Sequence, residues 1–150
     1  MYSSPVLRCK QTAEIIGEAL NAKPKYSELI TETDTPAQGM VLDEFFHTAG
    51  GYTFMQPIHV RNAGETIKQV FTRCNTLVTK IIKKHEGESV LIVTHGDPLM
   101  ALVYGLVDKD LRNYFTKTRK YLPKGALVKF EFKNYKLHDY HEVLSGKTAR

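Results

Sequence analysis

The stretch that decides the fold is Val90-Leu91-Ile92-Val93-Thr94-His95-Gly96-Asp97-Pro98. Four consecutive apolar residues, three of them β-branched, predict a short strand that is buried on both faces. Thr94-His95-Gly96 breaks the apolar run, and Pro98 fits the first turn of a helix, where its missing N–H costs nothing. His95 is therefore predicted where a buried strand ends and a helix begins. Ligands bind at this position in an open parallel sheet, and the helix start favours an anion, although a core histidine bonded to backbone has the same local pattern.

The segment Tyr2–Glu14 predicts a helix near the start of the chain. Ser3 or Ser4 can cap this helix, and Pro5 then stands in its first turn. Arg8 falls close to the positive end of the helix, where a cation is unfavourable unless an anion lies nearby. Arg8 is therefore a candidate oxyanion ligand, with an exposed surface arginine as the alternative. The apolar positions expected on the buried face are Leu7, Ile15, Ile16 and Ala19–Leu20, with the helix ending near Asn21–Pro24.

The remaining segments alternate between predicted strands and helices, which indicates an α/β fold. Glu65–Lys84 has apolar residues at three- and four-residue spacing and predicts the longest helix, with Gly87 as its C′ residue. Ala126–Lys133 alternates apolar and charged residues and predicts a strand with one buried face. The other predicted elements are a strand at Tyr26–Ile30, helices at Pro98–Tyr104 and Asp108–Lys117, and a return strand ending near Val143. We expect one domain over residues 1–150, a lid-like insert at 33–64 and a frayed tail at 145–150.

Composition excludes several classes of function. With 150 residues, 42% hydrophobic, the chain can bury a substantial core, and no apolar run approaches the ~20 residues that cross a bilayer. We expect no membrane partner and a cytoplasmic location, with Cys9 and Cys74 as reduced thiols. The net charge of +5 comes mostly from Lys109–Lys136, where no nucleic-acid motif occurs, so a solvated basic face is expected and not a nucleic-acid groove. His138 and His141 lie three apart on a predicted strand and face opposite sides, so no metal site is expected.

Three ordered motifs resemble those of the histidine phosphatase superfamily, which has a phosphoglycerate-mutase-like fold. Ser3-Ser4-Pro5-Val6-Leu7-Arg8-Cys9-Lys10-Gln11-Thr12-Ala13 resembles the family's second arginine motif. Gly64-Glu65-Thr66 resembles the opening of its next long helix, and Val93-Thr94-His95-Gly96 resembles its second histidine motif. The resemblance runs from Tyr2 to about Phe132. It implies a three-layer sandwich with a mostly parallel central sheet flanked by helices.

The chain departs from this family at the nucleophile. The family's attacking histidine belongs to an Arg-His-Gly motif on a first strand, and no Arg-His-Gly occurs in the 150 residues. We therefore expect the first family strand to be missing and this chain by itself to be inactive as a phosphatase. That strand lies mid-sheet in the family, beside the strand that carries His95. Its loss is expected to uncover backbone groups at Val90–Thr94 and to favour self-association, such as a homodimer.

The resemblance implies roles for four residues. Arg8 matches the second arginine, suited to bidentate phosphate binding, and His95 matches the histidine that donates to a phosphoryl oxygen. Gly96 is expected to allow close approach of the backbone to the ligand. Glu32 is the expected acid/base residue, because Ile30-Thr31-Glu32 resembles the family's Leu-x-Glu pattern. The alternatives that remain open for this role are Glu28 and Glu44. No metal and no cofactor are implied.

The activity implied is that of a phosphomonoester hydrolase with a phosphohistidine intermediate in a full-length parent. The substrate would be a phosphorylated small molecule or a phosphoprotein, and the moderate insert after Glu32 favours a hydrolase over a mutase. Three explanations fit a site without its nucleophile. The chain is a truncated product of a longer gene, which we favour, or a pseudophosphatase that binds phosphorylated ligands, or an interaction module that pairs through its exposed sheet.

Overall fold

The computed structural model describes residues 1–34, 39, 41, 64–113 and 120–144. The described elements, in chain order, are β1 (Tyr2–Ser3), α1 (Leu7–Ala19), β2 (Lys25–Tyr26), a 3-10 turn (Glu28–Ile30), α2 (Ile67–Lys84), β3 (Ile92–Val93), α3 (Gly96–Leu102), a π-helical segment (Val103–Asp108), β4 (Leu127–Lys133) and β5 (Lys136–Leu144). A parallel sheet flanked by helices confirms the predicted α/β class.

The parallel sheet has the order β2-β1-β3. Tyr2 is opposite Lys25 on one side and Ile92 on the other, so β1 is the central strand of the three. The backbone N–H of Ser4 donates to the carbonyl of Val93 at 2.9 Å. Because both strands run in the same direction and are in register, the residues that follow them emerge side by side. This register is what brings the start of the chain next to His95.

Helix α2 forms the centre of the core, and local signals account for its limits. Thr66 caps it: the hydroxyl accepts the N–H of Gln69, and the Gln69 side chain accepts the N–H of Thr66 in return, a capping box. Lys83 and Lys84 lie in the last turn, where cations complement the helix dipole. The apolar side chains that α2 buries are Ile67, Val70, Cys74, Leu77, Val78 and Ile81. The predicted longest helix is thus confirmed, beginning two residues later than expected and ending at the same residue.

Strands β4 and β5 form a separate antiparallel hairpin. Asn134 and Tyr135 connect them, both with positive φ (50° and 60°), as a two-residue turn with the favoured twist requires. Phe130 and Phe132 pack against the core cluster around α2, as does Ile92 of β3. Within the described part of the chain, β3 pairs only with β1, and no strand joins it to the hairpin. The described strands therefore leave a gap between β3 and the hairpin, at the place where the family resemblance implies a further strand.

The buried face predicted for α1 is wrong. Leu7, Ile15 and Leu20 are each more than 60% exposed, whereas the buried residues are Cys9, Ala13 and Gly17. Small side chains let the helix lie close to its neighbours: a Cβ at Gly17 would stand 2.5 Å from the carbonyl oxygen of Ala22. The pattern of hydrophobic residues does not identify this face, because its residues are buried for their small size, which lets the helix pack closely against its neighbours.

The start of α1 also differs from its prediction. The helix begins at Leu7 with Val6 as N-cap, no side chain caps it, and Pro5 precedes it. Ser4 Oγ instead accepts the N–H of Val6 at 3.3 Å, which leaves its proton for another partner.

Two strand predictions are corrected as well. The strand predicted at Tyr26–Ile30 is confined to Lys25–Tyr26, because Ser27 accepts the N–H of Leu29 and turns the chain into the 3-10 turn. The strand predicted over Val90–Val93 is reduced to Ile92–Val93 and is half-buried, because β3 pairs on one edge alone within the described residues.

Some predictions are modified or lie outside the described residues. Gly87 has φ +77° but stands two residues beyond the C-cap His85, so it is not the C′ residue. Helix α3 ends at Leu102 and continues as the π-helical segment. Most of the 33–64 insert, the 145–150 tail and the second half of the helix predicted at Asp108–Lys117 lie outside the described residues. Among those described, no helix is long and apolar enough to span a membrane.

Candidate functional site

The site forms where β1 and β3 end next to each other. Ser4 follows β1 and His95 follows β3, and His95 Nε2 lies 2.8 Å from Ser4 Oγ. Cys9, in the first turn of α1, donates its thiol to the carbonyl of Thr94 at 3.3 Å, and its sulfur lies 3.5 Å from His95 Nε2. The imidazole is thereby enclosed, with 1% of its side chain exposed.

Glu32 joins the two residues that the sequence identifies as phosphate ligands. Its Oε2 lies 3.4 Å from Arg8 Nη2 and 3.6 Å from His95 Nδ1. Three of the four predicted site residues thus meet at one carboxylate oxygen. Glu28, an alternative for the acid/base role, is exposed on the 3-10 turn, and Glu44 lies outside the described residues.

His95 is neutral at physiological pH. Burial lowers its pKa to about 4, and the positive charges of Arg8 and Arg73 act in the same direction. A neutral ring carries one proton, and the tautomer that suits both neighbours has the Ser4 hydroxyl donating to Nε2 and the proton on Nδ1. The Nδ1–H then faces the carboxylate of Glu32. The 3.6 Å contact is accordingly that of a neutral donor with a carboxylate, not an ion pair.

The pKa of Glu32 is raised, whereas that of His95 is lowered. Burial raises the pKa of its carboxyl group, and the nearby negative charge of Asp97 adds to this effect. The N–H of Thr33, which donates to Glu32 Oε1 at 3.1 Å, and the charge of Arg8 offset part of the rise. A carboxyl group that keeps its proton to a higher pH is suited to act as a general acid.

Its environment disfavours Cys9 as an alternative nucleophile. Burial raises the pKa of its thiol, which outweighs the effect of neighbouring Arg8. A nucleophilic cysteine requires the reverse, a lowered pKa that yields the thiolate. The Cys9 thiol serves as a donor to backbone and as a packing partner of the imidazole ring.

Gly96 has a neighbour that the sequence does not predict. A Cβ at Gly96 would clash with the hydroxyl of Tyr121, which donates to Asp97 Oδ1 at 2.8 Å. Burial and the charge of Asp97 both raise the pKa of Tyr121, so the phenol stays protonated. Gly96 therefore makes room for Tyr121 at the edge of the site, and its contact with a ligand stays a prediction.

The described residues contain no group of three side chains that could hold a metal ion. His138 and His141 lie on β5, as the sequence predicts, and His141 Nε2 contacts Asp139 Oδ2 at 3.1 Å.

The residues at this site fall within a family pattern. The model of the histidine phosphatase superfamily, branch 1, matches residues 1–138. The chain belongs to the histidine phosphatase superfamily. This confirms the family that the three sequence motifs indicate.

Among histidine phosphatase relatives, phosphoglycerate mutase-like protein 4 of Arabidopsis thaliana is 29% identical over 113 residues, which cover 68% of this chain and 47% of that protein. Phosphoserine phosphatase 1 of Hydrogenobacter thermophilus is 26% identical over 121 residues, covering 77% and 57%. The chain thus spans about half the length of these relatives. The solved structure of Bacillus stearothermophilus YhfR shares the fold with a TM-score of 0.78 at 24% identity, over 99% of this chain and 73% of that one.

Proposed function

We propose that this chain carries the phosphate-binding and acid/base residues of a phosphomonoester hydrolase of the histidine phosphatase type. The observation that supports this most is the position of Glu32 Oε2, in contact with both Arg8 and His95. An anionic oxygen already stands between the two groups that are expected to bind a phosphoryl group. Relatives named as phosphoserine phosphatase and as phosphoglycerate mutase-like support a phosphorylated small molecule as the ligand.

Each residue has a defined task in the proposed reaction. Arg8 binds two phosphoryl oxygens, and the Nδ1–H of His95 donates to one of them, which neutralises charge that spreads over these oxygens. A histidine nitrogen attacks phosphorus, an N–P bond forms, and the bond to the leaving oxygen breaks as Glu32 gives that oxygen its proton. Glu32 then takes a proton from water, the water oxygen attacks phosphorus, and the N–P bond breaks to release phosphate.

The attacking histidine is not among the residues described above, and no Arg-His-Gly motif occurs in the 150 residues. In this proposal it stands on a strand next to His95, paired with the edge of β3 that has no partner among the described strands. The alternative is a non-catalytic phospho-ligand-binding protein, a pseudophosphatase, in which no such histidine acts. Both versions require that the pocket bind phosphate.

Phosphate binding tests what the two versions share. Inorganic phosphate, followed by NMR or calorimetry, is expected to bind the chain weakly, and Arg8→Met is expected to weaken binding about 10-fold or more, the effect of losing one charged hydrogen-bonding group. Arg112→Met is the matched control, because Arg112 is 87% exposed and pairs with Asp110. Equal affinity in Arg8→Met and in the unmodified chain would contradict the proposal.

Turnover separates the two versions. The chain alone is expected to leave p-nitrophenyl phosphate unhydrolysed. A strand segment with Arg-His-Gly, fused ahead of β1 or added as a peptide, restores turnover if the site is that of a hydrolase and leaves it at zero if the protein only binds. Turnover by the unmodified chain that is lost in His95→Ala would show that the nucleophile is misassigned. Light scattering of the chain alone and of the chain with the added segment tests the predicted self-association.

A further inference from the structure

Arg73 of α2 hydrogen-bonds to the backbone segment that carries Glu32 but has no part in the proposed reaction. Its Nε and Nη2 donate to the two carboxylate oxygens of Glu65 at 2.7 and 2.8 Å. Nη1 donates to the carbonyls of Leu29 and Thr31 at 3.0 and 2.8 Å, and Nη2 donates to the carbonyl of Glu32 at 3.1 Å. All five N–H groups of the guanidinium are used, three of them on the backbone that leads to Glu32.

The same backbone is held at two further points. The carbonyl of Ile30 accepts the hydroxyl of Thr94 at 2.8 Å, so each carbonyl from residue 29 to 32 has a side-chain donor. Beyond Glu32, the N–H of Asp34 donates to Glu65 Oε2 at 3.0 Å, and the N–H of Glu65 donates to the carbonyl of Asp34 at 2.8 Å. The segment before, at and after Glu32 is thereby fixed to α2 and to the residue that precedes His95.

Glu65 is what gives Arg73 its orientation. The two side chains are only 24% and 16% exposed, and their contact is bidentate, which fixes the plane of the guanidinium. Although burial acts to raise the pKa of Glu65, hydrogen bonds from Arg73 and from the Asp34 backbone lower it overall, so the carboxylate stays ionised. Arg73 in turn stands beside Cys74, which is completely buried, on the helix that forms the core.

We propose that Arg73, oriented by Glu65, is a positioning residue that holds Glu32 against Arg8 and His95. Its significance for chemistry rests on the proposed function, whereas its effect on the place of Glu32 does not. This gives Gly64-Glu65-Thr66 a role at the site besides opening α2. We call the Arg73–Glu65 pair and its hydrogen bonds to the backbone of residues 29–32 the clamp. Through these bonds, helix α2 of the core fixes the position of the Glu32 carboxylate at the edge of the sheet.

The test follows the carboxyl group of Glu32 by ¹³C NMR titration in the ligand-free chain. In Arg73→Met, Glu32 is expected to move into solvent and away from Asp97, which lowers its pKa toward the ordinary value for glutamate by more than the loss of the Arg73 charge raises it. Glu65→Gln should also lower the pKa of Glu32. The glutamine side chain has one oxygen to accept from Arg73, but its NH₂ group faces the second guanidinium N–H donor to donor, so the orientation of Arg73 is lost. Arg73→Lys keeps the charge but not the planar donor set, and is expected to rescue the titration only in part.

Arg112→Met provides the matched control and should leave the Glu32 titration unchanged. A folded Arg73→Met with lower melting temperature but an unaltered Glu32 pKa would overturn the proposal and leave Arg73 a merely structural residue. If Arg73→Met does not fold, Glu65→Gln and Arg73→Lys decide by the same criterion. Absence of phosphate binding in the unmodified chain, together with a shifted titration in the variants, would refute the proposed function and support the clamp.

Discussion

Lowering the pH should destabilise this protein through His95 in particular. The imidazole has a pKa of about 4 in the folded chain, whereas an exposed histidine in the unfolded chain has one of 6.5. Between these values the unfolded state binds a proton that the folded state does not, so the free energy of unfolding falls as pH decreases. Each pKa unit corresponds to 1.36 kcal/mol, so His95 should remove about 3 kcal/mol of stability between pH 7 and pH 4. That is a large fraction of the 5–15 kcal/mol typical of a domain.

Urea unfolding at successive pH values, followed by circular dichroism, measures this contribution by difference. His95→Asn keeps a polar side chain near Ser4 but cannot take up the proton, so its stability should decline by about 3 kcal/mol less over the same range. Carboxyl groups away from the site contribute to both proteins and cancel, whereas Glu32, which contacts His95, is removed from the comparison by repeating it in a Glu32→Gln background. His138→Asn, at an exposed position, should follow the unmodified chain. Equal pH dependence in His95→Asn and the unmodified chain would refute the claim that His95 is buried neutral.

Two glycines provide further predictions. A Cβ at Gly105 would clash with the ring of Phe71, so Gly105→Ala should cost about 1–3 kcal/mol in urea unfolding, and clearly less in a Phe71→Leu background; equal costs would contradict the contact. Gly96→Ala should destabilise the chain because it displaces the Tyr121 hydroxyl from Asp97. In a Tyr121→Ala background the same change should become neutral or stabilising by up to about 1 kcal/mol, since alanine is the better helix former; a cost that persists there would place the strain elsewhere.

Elements that depend on local signals could be predicted from the sequence. Helix α2 has a capping box at Thr66, a regular apolar repeat and lysines in its last turn, and its predicted and observed limits agree within two residues. The hairpin β4–β5 follows from strict alternation in Ala126–Lys133. The face of α1 could not be predicted in this way, because Ala13 and Gly17 are buried for their small size, a property of the contact and not of the helix.

The residues of the site also fall into two groups, those that sequence motifs indicate and those that only tertiary contacts bring to the site. The convergence of Arg8, Glu32 and His95 could be predicted because all three belong to motifs at the ends of neighbouring strands, although their roles stay a proposal. Tyr121 and Arg73 carried no signal, since neither lies next to a site residue in sequence. Their roles depend on tertiary contacts across 24 and more than 40 residues, the kind that no local pattern records.

The order of strands in the sheet has a consequence for synthesis on the ribosome. Strand β1 is the central strand, yet its partner β3 follows about 90 residues later, since Tyr2 pairs with Ile92. At about 5–20 residues per second, translation takes roughly 5–20 s to cover that distance. During this interval β2 is the only one of the two described partners of β1 that has been synthesised, so the edge of β1 that later pairs with β3 stays uncovered. The hairpin, by contrast, is complete within seconds of its first residue. Chaperone binding to nascent chains should therefore be strongest before residue 93 emerges and should decline once β3 is available.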